Sequence, residues 1–197
     1  MSGDASWPPE WEEVLVAAAR LQGLLPGTVL VGGPLPRSMK TARVQRPVQI
    51  LGSLDGIETG IRQLIRKEPL ESLNLKIGAQ MLRVPTPAEI MRIKAVLILK
   101  RNATRDYLDF VAMALHLGDK EAIKGMRNFD DLYPQPNGAS PSQQLQIQLA
   151  SPMPYDLDSD DLSEYRHLRD DLRDWKDVKE ACVRLAIVLF DQGESLS

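Results

Sequence analysis

Cysteine is almost missing from this chain: Cys182 stands alone. That excludes an internal disulfide and any cysteine-rich zinc site, and it fits a reducing compartment such as the cytoplasm. Aromatic residues make up only 5% of the 197 residues. No apolar run approaches the ~18 residues that a membrane span needs. Met1 to Pro9 offers no basic stretch ahead of an apolar one, so no secretory signal is read there. These absences lead us to expect a cytoplasmic protein without a membrane partner. His116 and His167 each stand singly, without metal-ligand spacing, and read as structural. With 43% hydrophobic and 26% charged residues, a chain of this length buries roughly 70% of its unfolded surface and needs no covalent staple.

Acidic residues are missing locally as well. None occurs from Val14 to Leu54, where Arg20, Arg37, Lys40, Arg43 and Arg46 leave the segment with a charge of +5. From Tyr155 to Asp177 the balance reverses, with nine acids against four Lys or Arg. The two stretches read either as solvated faces of opposite sign or, for Arg37 to Arg46, as an arm for phosphates. The net charge of -3 argues against nucleic-acid binding over the whole surface, and no aromatic residue interleaves with the arm to stack bases.

Apolar spacing predicts a helix over about Trp11 to Leu21, stopped by Gly23 and Pro26. Thr28 to Val31 reads as a buried strand ahead of Gly32-Gly33, and Val48 to Leu54 as a second strand. Ile57 to Arg66 reads as a helix, followed by a hairpin of Leu73–Ile77 and Gln80–Val84 turning at Gly78. Thr86-Pro87-Ala88-Glu89 carries the marks of a helix start, with a capping threonine, proline at the first helical position and Glu89 placed for a capping box. That helix runs to Lys100 and breaks near Asn102. Thr104 then caps a second helix through His116, ended by Gly118. Further helices are expected over Asp119–Asp131, Pro141–Leu149 and Asp174–Phe190, the last with Val178, Cys182, Leu185, Ala186 and Leu189 inward. The predicted class is α+β: a small mixed sheet in residues 1–84, then a helical portion, 85–197, packed on it.

The residues suited to chemistry cluster around the break at Asn102. Lys94 interrupts an apolar helix with no acid four residues to either side. It either snorkels to the surface or reaches a phosphate as a compact cation. Asp106 and Asp109 are three apart and share a helix side. Asp106 also suits the dipole of a helix start, worth about 0.3–1 kcal/mol, while Arg105 and Asp109 suit a surface pair worth about 0.3–0.5 kcal/mol. Gly32 and Gly33 let backbone N–H groups approach a phosphate, although no Gly-Lys-Ser or Gly-Lys-Thr follows to make a P-loop.

Three strings, Pro47 to Leu64, Val84 to Ala95 and Arg101-Asn-Ala-Thr-Arg-Asp-Tyr-Leu-Asp109, together resemble the AbiEii/AbiGii-type nucleotidyltransferases, which are toxins of bacterial toxin–antitoxin and phage-abortive systems. The resemblance implies a nucleotidyltransferase-like but incomplete sheet. It gives catalytic roles to Lys94, Asp106 and Asp109, and nucleotide binding to Gly32, Gly33, Arg37, Ser38, Arg101 and Arg105. It implies NTP or RNA as ligands, a cognate antitoxin as protein partner, and Mg²⁺ in any active member. The acid-free window covers the place where that family carries its Asp-x-Asp metal ligands, with Asp55 and Glu58 the nearest carboxylates. Magnesium needs such oxygens, so the implied member is catalytically impaired and binds phosphates without turnover. The alternatives are an active transferase moving a nucleotide onto tRNA or protein, and a noncatalytic interaction module of a toxin–antitoxin system.

Overall fold

The computed structural model describes residues 9–24, 28–30, 49–54, 57–62, 66, 68–165 and 168–194, with side chains left aside at 9–11, 49–54, 57–62 and 190–194. The chain divides into two compact units, Met1–Thr86 and Pro87–Ser197. It is mixed and mostly helical, so the α+β class holds. Among the described residues its strands form two separate two-stranded hairpins and no larger sheet.

In the first unit, helix α1 spans Pro9–Leu24. Strands β1 (Gln49–Leu54) and β2 (Ile57–Arg62) pair antiparallel, with Leu54 opposite Ile57 and Gln49 opposite Arg62. The helix predicted from Ile57 is thus a strand. Its β-branched residues Ile57, Thr59 and Ile61 recur at the strand period of two, and Asp55-Gly56 between the paired ends is a strong hairpin signal. Strands β3 (Ser72–Ile77) and β4 (Gln80–Pro85) form the second hairpin as expected, turning at Gly78 with a φ of 57°. Leu15 and Ala19 of α1 pack on Ile77 and Leu82 to make a small core.

Residues 28–30 are not a strand. The Leu30 N–H does donate to the Arg83 carbonyl at 3.1 Å, but that edge of β4 already has an occupant. Gln22 of α1 donates from Nε2 to the Arg83 carbonyl (2.8 Å) and accepts the Arg83 N–H on Oε1 (2.7 Å). One side-chain amide thereby does what a neighbouring strand's peptide group would do, and the exposed edge is blunted.

The second unit is built of helices α2 (Pro87–Arg101), α3 (Thr104–Leu117), α4 (Asp119–Met126), α5 (Phe129–Leu132), α6 (Pro141–Ala150) and α7 (Trp175–Glu194), with a 3-10 turn at Asp170–Leu172. Its core joins Met91, Ile98, Tyr107, Phe110, Leu145, Leu149, Val178, Cys182 and Leu185, so the inward face read for the last helix is the buried one. The single helix predicted over Asp119–Asp131 is two. Asn128 takes the left-handed conformation, φ 60°, and starts α5 in a new direction. Gly125 at the end of α4 lies so close to α2 that an added Cβ would sit 3.2 Å from that of Ala88.

Three charged side chains are buried in this unit, Glu89, Arg92 and Asp106. Glu89 and Arg92, one turn apart on α2, pair at 3.0 Å with both side chains buried. Arg92 Nε also donates to the Gly125 carbonyl, and the Tyr133 hydroxyl donates to Glu89. Such a pair is costly to break, because the remaining ion keeps its desolvation penalty of about 3–5 kcal/mol. Among the described residues no helix is long and apolar enough to cross a membrane.

Burial pushes the Cys182 thiol from 9.0 up to about 12. Burial, reinforced by Cys182 and Asp106, pushes the Tyr107 phenol from 10.0 up to about 12. Both groups are raised in the folded state, so the unfolded chain gives up these protons first as pH rises. Their contribution is complete below about pH 9 and is lost from there to about pH 12, at about 1.4 kcal/mol per pH unit for each titrating group. Urea midpoints should therefore hold steady up to about pH 9 and fall above it. Cys182→Ala should delay the onset by about one pH unit, to where Tyr107 begins to act.

Candidate functional site

Of the charged residues singled out in sequence, Lys94, Arg101, Arg105, Asp106 and Asp109 lie around the corner between α2 and α3. Helix α2 ends in Asn102, a non-glycine residue at φ 51°, whose N–H donates to the Ile98 carbonyl at 2.9 Å. Asparagine is among the few residues that enter this region readily. Both ends of its side chain are engaged: Nδ2 donates to the Met153 carbonyl (2.7 Å), and Oδ1 accepts the Tyr107 hydroxyl (2.5 Å). Its own carbonyl accepts the Tyr155 N–H at 3.0 Å. The corner is thereby bound to the loop that follows α6.

A second tie lies two residues on. Ala103, not Thr104, is the N-cap of α3, and it makes no side-chain cap bond. The first-turn donor is served from far along the chain, where Asp156 Oδ1 accepts both the Thr104 N–H (2.7 Å) and the Thr104 hydroxyl (2.8 Å). A carboxylate at a helix N-terminus is favoured by the dipole as well as by the hydrogen bonds. The acidic stretch thus contributes a remote cap, a role that local spacing does not reveal.

Each candidate cation here has a carboxylate. Lys94 Nζ lies 2.6 Å from Asp109 Oδ2, a partner fifteen residues away and invisible to a search at helical spacing. Arg105 Nε reaches the same oxygen at 3.9 Å. Arg101 grips the fully buried Asp106 with two bonds, Nε to Oδ2 at 3.1 Å and Nη2 to Oδ1 at 2.5 Å. Paired in this way, Asp106 turns both oxygens to arginine. Gly32, Gly33, Arg37 and Ser38 lie outside the described residues, as do Asp55 and His167. Glu58 is in β2. Among the described residues, no three His, Cys, Asp or Glu gather to hold a metal ion.

Two open clefts accompany this framework. The first unit has one of about 630 Å³ between α1 and the β3–β4 hairpin, lined by Arg20, Gln22, Asn74, Gln80 and Arg83 among others. The second unit has one of about 510 Å³ beside the loop that Asn102 anchors, with Met153, Leu157, Trp175, Lys176 and Lys179 in its walls.

Sequence comparison points elsewhere than to nucleotidyl transfer. The chain is 25% identical, over an alignment of 206 residues, to the "Mycolic acid-containing lipids exporter MmpL11" of Mycolicibacterium smegmatis, covering 90% of this chain and 21% of that protein. It is 28% identical over 131 residues to the "Heme uptake protein MmpL11" of Mycobacterium tuberculosis and to the "Probable transport protein MmpL11" of Mycobacterium bovis, in each case covering 65% of this chain and 13% of the relative. The nucleotidyltransferase resemblance does not hold. The toxin–antitoxin reading and both of its alternatives fall with it, since the similar proteins are named as transporters. No family model matches the chain, and no solved structure does. The chain spans about a fifth or less of the length of these relatives.

The catalytic roles given to Lys94, Asp106 and Asp109, and the expectations of NTP, RNA and Mg²⁺, came with that resemblance and lose their ground. The short run of charges that carried it is, in the fold, a set of ion pairs around a helix corner. Asn102→Ala should cost about 2–4 kcal/mol in urea unfolding, the sum of two lost side-chain hydrogen bonds and a left-handed alanine. Asn102→Gly, which keeps the turn, should recover about 1 kcal/mol of it. Equal losses in the two variants would count against a left-handed corner.

Proposed function

We propose that this chain acts as an extramembrane module of an MmpL11-like transport protein, serving the assembly or control of transport and carrying out no chemistry of its own. The observation behind this reading is the reach of the similarity. It extends over 90% of this chain yet takes up only 21% of the Mycolicibacterium smegmatis exporter, and no described helix here has the length and apolarity of a membrane span. A transporter needs spans to move its cargo, so a segment without them works beside the conduit. The mutual pairing of Lys94 with Asp109, Arg101 with Asp106 and Glu89 with Arg92 fits a scaffold better than a reactive centre, where a charged group needs free reach toward a substrate. A single buried thiol supports the cytoplasmic side of the membrane.

Deleting the matching segment from the Mycolicibacterium smegmatis exporter, and separately replacing it with this chain, tests the proposal in cells that lack their own copy. The deletion should leave the exporter in the membrane, as judged by immunoblot, but with little export of mycolic-acid-containing lipids. The replacement should restore a substantial part of that export. Full export by the deleted form, or none by a replacement that is stably inserted, would overturn the reading.

A further inference from the structure

We infer that the cleft between the loop at 152–157 and the start of α7 is a docking site for a segment of a protein partner, one that presents an apolar side chain next to a carboxylate. On the apolar side of the cleft, Met153 leaves 76% of its surface in water, and Tyr155, two residues on, leaves 75%. Single exposed apolar side chains are ordinary, but two of them two residues apart at an apolar cleft make a patch of the kind that marks an interaction surface. Here they are held out firmly. The Met153 carbonyl and the Tyr155 N–H are both bonded to Asn102, and Pro152 and Pro154 restrict the backbone on either side.

The floor is equally fixed. Trp175 is 5% exposed. Its ring meets that of Tyr107 edge-on, 5.9 Å between centroids, and its backbone N–H donates to the Asp160 carbonyl at 2.8 Å. A groove of about 510 Å³ with an aromatic floor and a tethered apolar wall loses little freedom when a partner enters, which favours affinity.

The charged half comes from Lys176 and Lys179, three apart on the first turns of α7 and both on the cleft. Neither has a carboxylate partner among the described residues, whereas Arg169, Arg173 and Arg184 of the same region are paired. Asp160 lines the cleft as well, so its walls carry two ammonium groups against one carboxylate, a net positive charge complementary to a carboxylate adjoining an apolar anchor. The surroundings choose between a protein and a lipid surface. Asp158, Asp160, Asp161, Asp174, Asp177 and Glu180 are all exposed close by in sequence. A flat anionic bilayer would bring its phosphates against all of those acids, while a peptide segment lying in the cleft meets Asp160 alone among them, beside the two lysines.

This inference does not depend on the transport reading, since it concerns binding to the isolated full chain. Selecting a displayed library of random peptides on that chain tests it. Recovered peptides should join a Leu, Phe or Met to a neighbouring Asp or Glu. They should lose about tenfold in affinity against Lys176→Glu/Lys179→Glu, and they should lose binding to Met153→Asp, a change at an exposed position that leaves the fold in place by circular dichroism. No enrichment, enrichment without that pattern, or affinity untouched by the charge reversal would overturn the assignment. So would tighter binding to phosphatidylglycerol-containing vesicles than to any selected peptide.

Discussion

A helix that stops leaves its last carbonyls without partners inside the helix, and at the end of α2 one asparagine bonds back to the Ile98 carbonyl and redirects the chain. Asn102 enters the left-handed region, returns its N–H to Ile98, and uses both ends of its amide and its own carbonyl on groups up to fifty-three residues away. The helical unit depends on that corner. It sets the start of α3, orients Tyr107 toward Trp175, and fixes the loop between α6 and the acidic stretch. Asp156 then secures the same loop by capping α3 from outside. Two local requirements, an orphaned carbonyl end and an orphaned amide start, are thereby converted into long-range order.

The charges around the corner follow from it. Once α2 and α3 are packed side by side, Lys94 and Asp109 meet although they lie fifteen residues apart, and Arg101 folds back across the corner onto Asp106. A buried carboxylate held by two arginine hydrogen bonds is strongly positioned and has little left to offer a metal or a substrate. What the corner leaves available is outside it: the anchored loop with Met153 and Tyr155, and the two lysines of α7. Any recognition by this unit is therefore better sought on that surface than among the paired charges.

Much of the helical unit is legible in the sequence because its signals are local. Thr86-Pro87 opens α2, Gly118 at φ 73° closes α3, and the apolar spacing of Val178, Cys182 and Leu185 marks the buried face of α7. The failures have physical causes too. Ile57 to Arg62 offers both helical and alternating apolar spacing, and pairing with β1 decides for the strand. Leu30 makes one strand-like bond to Arg83, on an edge where Gln22 already bonds both the N–H and the carbonyl of Arg83. The pairing of Lys94 with Asp109 and the capping of Thr104 by Asp156 are tertiary events with no helical period to announce them. The order of Lys, Arg and Asp along the chain therefore does not reveal that these side chains pair with one another in the fold.

Native-state hydrogen exchange at single amides tests the central role of the corner most directly. The Tyr155 and Thr104 amides, bonded to Asn102 and Asp156, should exchange only through global unfolding, at the rate of core amides in α3. In Asn102→Ala, protection at Tyr155 should collapse while the centre of α7 keeps its own relative to the new global stability. If Tyr155 exchanges in the unaltered protein as quickly as an open loop, the corner does not hold the loop and the account is wrong.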